Sequence, residues 1–275
     1  MSFIKWVGGK TKLADQIIKI FPQNLKNYIY IEPFLGSGSV LIKFLEKNPC
    51  IQNCICSDIN KELIFTFNVI KYAHQKLIEK MNLIISEYDK SANKENFYKE
   101  KRKIYNEINK TIDNQIEIAS LFIFLNKTCF RGLYRINNKG EFNTSYGNYS
   151  NPNFIDSKYI EHLSSLFNKY DVKFNCCSFE ETLSNLNNDY NYIIYLDPPY
   201  LSTFNSYSIE KFNSNQLVEL IEKINKENIK IILSNSNNFY EKYKNLLPNV
   251  IKISIQDKIN SKKPNKKRDE VIMYN

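Results

Sequence analysis

Residues 28–58 impose an order that few folds satisfy. The buried run Tyr28-Ile29-Tyr30-Ile31 reads as a strand, Phe34-Leu35-Gly36-Ser37-Gly38 as its turn, and Val40 to Leu45 as the helix that follows. A second strand, Ile51 to Ser57, stops at Asp58, and a new helical pattern starts near Glu62. Strand, glycine loop, helix and strand make the opening of an α/β sheet. Ahead of it, Leu13, Ile17, Ile18 and Phe21 recur at helical spacing until Pro22. Sheet signals resume at residues 172–177, 192–196, 229–234, 250–255 and 271–274.

Between these two sets of strands the pattern changes to long Lys- and Glu-rich helical stretches and a loop-rich segment at 126–153. An inserted unit at residues 71–170 is expected, interrupting a sheet domain made of residues 1–70 and 171–275. Within the insert, Asn137-Asn138-Lys139-Gly140 resembles a hairpin turn between two basic, aromatic strands. The stretch carries Phe130, Arg131, Tyr134, Arg135 and Lys139, a combination suited to a nucleic-acid groove, where Arg135 can read guanine bidentately.

The run Tyr192-Ile193-Ile194-Tyr195-Leu196 ends in Asp197-Pro198-Pro199-Tyr200. Two prolines stop the strand and lack N–H donors, so nearby carbonyls are left as acceptors. With the Asp197 carboxylate and the stacking face of Tyr200, this corner can hold and activate an amino group on a flat ring. In an open α/β sheet, ligands gather at the carboxyl ends of strands, where Gly36, Gly38, Asp58 and Asp197 are all expected. The glycines admit close approach of the backbone, and an acid ending the second strand can take a ribose diol. Leu41 occupies the place of the third glycine of the dinucleotide fingerprint, which favours a nucleoside cofactor without a pyrophosphate.

The chain has 38 Lys and Arg against 29 Asp and Glu, a net charge of +9 that suits a polyanion. Its six cysteines have no zinc-ligand or Cys-x-x-Cys spacing, and only His74 and His162 can supply imidazole. Neither a metal site nor a histidine triad is expected. No run approaches the ~18 apolar residues of a membrane span. A reduced cytoplasmic protein, without membrane association, is the expectation.

These residues resemble the Dam-like, D12-class adenine-specific DNA methyltransferases. The resemblance rests on Phe3 to Lys10, Glu32-Pro33-Phe34-Leu35-Gly36-Ser37-Gly38, Arg131 to Gly147, Asp197-Pro198-Pro199-Tyr200 and the tail from Asn260 to Asn275, in the family's order. It implies a Rossmann-like, S-adenosylmethionine-dependent catalytic sheet with an inserted, mainly helical target-recognition domain containing a β-hairpin. S-adenosylmethionine is then expected against Trp6, Gly8, Lys10, Glu32, Phe34, Gly36, Gly38, Asp58 and Asp197. Trp6 is suited to stacking on its adenine, Asp58 to its ribose, and Glu32 or Asp197 to its ammonium.

The implied reaction transfers a methyl group to N6 of an adenine flipped out of duplex DNA, with Asp197, Pro198, Pro199 and Tyr200 as the catalytic corner. By the same resemblance, Lys5 and Arg135 read guanines of GATC, Leu133 packs near a central base, and Phe130 fills space beside the flipped one. Arg131, Lys139, Asn143 and Ser145 complete the expected DNA contacts, while Lys262, Lys263, Lys266, Lys267 and Arg268 are expected to touch phosphate. Phe142-Asn143-Thr144-Ser145 departs from the proline common after this step in GATC members, and Arg131 replaces an Asn. A monomer or weak dimer is expected, and action beside a separate restriction endonuclease is one open role. The alternatives are an N4-cytosine or RNA adenine methyltransferase, and a catalytically silent DNA-binding protein of the same fold.

Overall fold

The computed structural model describes residues 3–48, 51, 53–154, 156–184, 186–200, 212–256 and 267–275, with backbone alone at 255, 256, 267 and 268. Among them, seven strands form one sheet: β1 (Tyr28–Glu32), β2 (Asn53–Asp58), β3 (Val172–Cys176), β4 (Asn191–Leu196), β5 (Ile229–Ser236), β6 (Asn249–Gln256) and β7 (Lys267–Tyr274). Their order is β3-β2-β1-β4-β5-β7-β6. The first five run parallel, and β7 is antiparallel to both β5 and β6.

The helices in the first half are α1 (Ala14–Ile18), α2 (Ser39–Lys47), α3 (Lys61–Lys90), α4 (Lys94–Glu107) and α5 (Gln115–Thr128). Those in the second half are α6 (Ser157–Lys169), α7 (Phe179–Ser184), α8 (Ser214–Ile224) and α9 (Asn237–Lys242). Of the described helices, none is long and apolar enough to cross a membrane. The helix expected over 13–21 is shorter than its pattern, because Ile20 and Phe21 already bond three residues back, in a tightened turn ahead of Pro22.

Side chains alternate across the central strands. Tyr192, Ile194 and Leu196 enter one apolar cluster with α7, α8 and α9; Ile193 and Tyr195 enter another with α1, α2, α3, α5 and α6. That is the two-residue period of a strand covered on both faces. The second cluster does not stop at the sheet. It runs on without a break through Leu77, Met81 and Tyr88 of α3 to Tyr98 of α4 and Phe124 of α5.

Just past the expected boundary at residue 70, α3 leaves helical geometry at Ala73 (φ −140°, ψ 31°). The carbonyl of Lys71 is taken instead by α6, from Ser164 Oγ at 3.1 Å and Asn168 Nδ2 at 2.8 Å. Side chains inserted into the backbone ladder are an established cause of a kink.

The expected hairpin is looser than its sequence suggests. Only isolated bridges, Cys129 with Tyr146 and Ile136 with Phe142, join its two sides. A 3-10 turn at Phe130–Gly132, with positive φ at Arg131 and Gly132, breaks the extended run. Across the hairpin, Asn143 N–H reaches the Arg135 carbonyl and Asn137 N–H that of Glu141, while one face of α4 takes the backbone groups that point outward. Tyr98 and Arg102 donate to the carbonyl of Thr144, and the Asn106 amide pairs with both backbone groups of Phe142. The turn itself stands as expected, closed by Gly140 N–H on the Asn137 carbonyl at 2.9 Å.

Candidate active site

Strands β1 and β4 are neighbours, yet the chain leaves them toward opposite edges of the sheet. Their carboxyl ends therefore flank a crevice, the place where ligands bind in sheets of this kind. A cavity of about 540 Å³ opens there, within the range of small-molecule sites. Residues from four strand ends and the N-terminal segment share its wall, among them Trp6, Glu32, Phe34, Asp58 and Asp197.

The glycine turn is shaped by what lies over it. Gly36 has φ +49°, and a Cβ there would lie 3.0 Å from the Trp6 indole, so a side chain would displace the ring. Gly38, at φ +62°, caps α2 with Phe67 close behind it. It does not line the cavity, so among the expected cofactor residues Gly38 serves the turn rather than the wall. Gly8 and Lys10 do line it. Trp6 is stacked on Tyr134 from the insert at 5.8 Å and 29°. Phe34 stacks on Phe179 at 5.3 Å.

Asp58 ends β2 and ties the turn to it. Its Oδ2 accepts Gly36 N–H at 3.0 Å and its Oδ1 accepts Asn60 N–H at 2.9 Å. Burial raises its pKa, opposed by the N–H bonds of Asn60, Gly36 and Ile59. Glu32, at the end of β1, is 2% exposed and accepts the Tyr30 hydroxyl at 2.7 Å. Burial lifts its carboxyl from the ordinary 4.5 to about 8, the Tyr30 bond opposing and Asp197 and Asp58 adding.

The sign of the pH effect follows from that shift. An unfolded chain releases the Glu32 proton near 4.5 and the folded one holds it to about 8, so between these values the folded state binds more protons. Its contribution to stability therefore falls as pH rises through that window. In thermal melts across it, the parent should lose stability relative to Glu32→Gln as pH rises; a constant difference would contradict the shift.

At the end of β4, the Asp197-Pro198-Pro199-Tyr200 corner is held from several sides. Lys10 Nζ lies 2.6 Å from Asp197 Oδ1, with Gly8 O at 3.0 Å and the Tyr200 hydroxyl at 3.2 Å. Ser234 Oγ, on β5, donates to the same Oδ1 at 3.1 Å, and Asn235 Nδ2 donates to the Pro198 carbonyl at 3.4 Å. Both described donors to Asp197 thus sit on Oδ1, leaving Oδ2 for an incoming group.

The arm beyond Trp6 is joined to the N-terminal segment. Asn126 holds the backbone of Lys5 at both N–H and C=O, each at 2.8 Å, and Gly132, at φ +65°, leaves the room that the Lys5 side chain fills, where a Cβ would clash with it. Lys5 Nζ lies over the Tyr149 ring, whose hydroxyl takes Arg131 N–H at 2.8 Å. Lys127 is 7% exposed beside them, and burial, then Lys5, brings its pKa down to about 8. Phe130, Arg131, Arg135, Lys139, Asn143 and Ser145 are exposed along this arm. Leu133 and Arg135 also reach the cavity wall, so the arm and the corner face one opening.

A family model described as D12 class N6 adenine-specific DNA methyltransferase matches residues 6–259. The chain belongs to this family. It is 38% identical over 250 residues to the type II methyltransferase M.MjaIII of Methanocaldococcus jannaschii, covering 86% of this chain and 84% of that one. The DNA adenine methylase of Haemophilus influenzae is 36% identical over 244 residues, covering 85% and 78%. That of Vibrio cholerae is 31% identical over 263 residues, covering 91% and 87%.

The enzyme is thus an adenine-specific DNA methyltransferase, EC 2.1.1.72, and DNA is its substrate. The N4-cytosine, RNA and non-catalytic alternatives give way to that membership. Sequence reasoning about this methyltransferase passed over Ser234, Asn235 and Glu270. Ser234 and Asn235 carry a faint signal, polar residues at the end of an otherwise apolar strand that finishes beside the Asp197 corner, whereas Glu270 carries none. The phosphate contacts expected of Lys262, Lys263 and Lys266 lie outside the described residues, as do the side chains of Lys267 and Arg268.

Proposed function

We propose that this methyltransferase takes its methyl group from S-adenosylmethionine held in the 540 Å³ cavity and delivers it to N6 of an adenine flipped out of duplex DNA. The donor set suits that ligand. Aromatic walls at Trp6 and Phe34 match an adenine face, and the Asp58 carboxylate, holding three backbone N–H groups, keeps acceptor capacity for a ribose hydroxyl. Glu32, lifted to about 8 by burial, ionises more readily beside an arriving ammonium. S-adenosylmethionine supplies an electrophilic methyl group when bound.

The Oδ2 of Asp197, which takes no donor among the described residues, beside the Pro198 carbonyl carries this reading. An exocyclic amine is a poor nucleophile because its lone pair is delocalised into the ring. Two acceptors taking its two hydrogens let the nitrogen pyramidalise and turn that lone pair outward. As the new C–N bond forms and the donor's C–S bond breaks, positive charge grows on nitrogen, and the Asp197 carboxylate would stabilise it. The same carboxylate stands where it can take the N6 proton that must leave, the thioether departing as the neutral product. Tyr200 stacks on the extruded base, a contact worth ~1–3 kcal/mol.

Residues 71–170 supply target recognition, with the arm lying in the groove and Arg135 and Lys5 reading guanines of GATC or a related short site. Leu133 and Phe130 lie beside the inner bases, and Arg131, Lys139, Asn143 and Ser145 hold the arm in register. A cytoplasmic monomer or weak dimer serves this role, whether beside a restriction endonuclease or alone. Single-molecule sequencing of DNA treated with the enzyme should report N6-methyladenine at one short motif, and a motif other than GATC would reject that site. Arg135→Ala should relax one base position at a cost of ~1–3 kcal/mol in discrimination. Unchanged specificity in the same assay would remove Arg135 from the reading role.

A further inference from the structure

Glu270 is fully buried, near the start of the apolar run Val271-Ile272-Met273 on β7. A carboxylate without exposure is costly unless it is hydrogen-bonded or paired. Sheet formation does not call for one here, since the neighbouring positions are met by apolar packing. Among the described residues, Glu270 accepts the hydroxyl of Tyr200, at 2.5 Å from both carboxylate oxygens. That hydroxyl is also 3.2 Å from Lys10 Nζ, the cation that holds Asp197.

The placement follows from the antiparallel turn of the last strand. In register, Glu270 lies opposite Ser236 of β5, next to Asn235, which donates to Pro198. β5 thus restrains the first half of the corner through Ser234 and Asn235, and β7 restrains its far end. Tyr200 follows Pro199, whose ring fixes its own φ, so the backbone entering the tyrosine is already narrowed. Tethering the hydroxyl as well restrains χ1 and fixes where the long axis of the ring lies.

We propose that Glu270 is a positioning residue for methyl transfer, acting through the Tyr200 hydroxyl to hold the ring where the target adenine stacks. This rests on the assignment of the Asp197-to-Tyr200 corner as the adenine site. Lys10 completes the device: its Nζ meets both Asp197 Oδ1 and the Tyr200 hydroxyl, so loosening the Tyr200 tether also loosens the geometry at Asp197 Oδ1. A ring whose axis can swing costs order at the moment the base arrives, and the loss falls on turnover rather than on the donor pocket.

The test compares Glu270→Gln, Tyr200→Phe and the double variant, with duplex carrying 2-aminopurine at the target position as a reporter of base extrusion. Glu270→Gln keeps an acceptor and the shape of the side chain, and should lower kcat roughly tenfold while leaving the dissociation constant for S-adenosylmethionine unchanged. Glu270→Ala should fall further. Tyr200→Phe should give a similar loss with a weaker reporter signal, and the double variant should be no worse than the poorer single one. Multiplying losses in the double variant would overturn the proposal, as would full turnover in Glu270→Gln. If Glu270→Gln does not fold, Tyr200→Phe decides alone, and full activity there overturns it. An Asp197→Ala control separates the two levels: retained methyl transfer there rejects the corner itself, whereas its loss alongside fully active Glu270 and Tyr200 variants rejects only the positioning role.

Discussion

Replacing Asp197 with alanine should lower methyl transfer by about 10²–10³-fold or more, the scale on which removal of one preorganised electrostatic group acts. S-adenosylmethionine affinity should change only slightly, because the aromatic walls and Asp58 lie on other strand ends. The substitution also strands Lys10, which is 3% exposed and bonded to the lost carboxylate at 2.6 Å. A buried cation without its partner costs stability, on the order of 3 kcal/mol, so rates must be measured where melts show the variant folded. Pairing Asp197→Ala with Lys10→Met should recover stability without recovering turnover. Calorimetric binding and a methyl-transfer assay on the same preparations decide the matter, and turnover near the parent's would end the proposed role.

Asp58→Ala should act on the other half of the reaction. Loss of a charged acceptor for the ribose weakens S-adenosylmethionine binding by roughly ten- to a hundredfold. The same change frees the Gly36 N–H, so the turn beneath Trp6 loses its tie to β2. Asp58→Asn separates the effects, since an amide oxygen still accepts one N–H while the charge is gone. The expected order of affinity by calorimetry is parent, Asn, Ala. Equal affinity for all three would place the ribose elsewhere.

Much of this arrangement is legible along the chain because it is local. The glycine turn after β1, the acid ending β2 and the prolines ending β4 each announce themselves within a few residues. The sheet then carries them to one crevice, since parallel strands align their carboxyl ends. Contacts made across the sequence leave no such mark. Nothing near Lys10 indicates that its ammonium lies on Asp197, 187 positions away. The hairpin shows the same limit: alternation and an Asn-Asn-Lys-Gly turn specify two facing segments, but not that α4 takes the backbone groups on their outer edge. Glu270 was invisible because an acid beside an apolar strand ordinarily marks its solvated end, and only the antiparallel placement of β7 turns it inward.

The unbroken apolar cluster that runs from the sheet into α3, α4 and α5 bears on how target preference can be altered. An insert with its own core could be lifted from one enzyme and grafted onto another. Here a graft bounded at residues 70 and 171 would cut through packing shared with Phe67 and Phe167, and neither piece would keep a closed interior. Variation is cheapest where that interior ends, on the exposed positions between Cys129 and Gly147. New recognition in this lineage is therefore expected to come by point substitution along the arm rather than by module exchange.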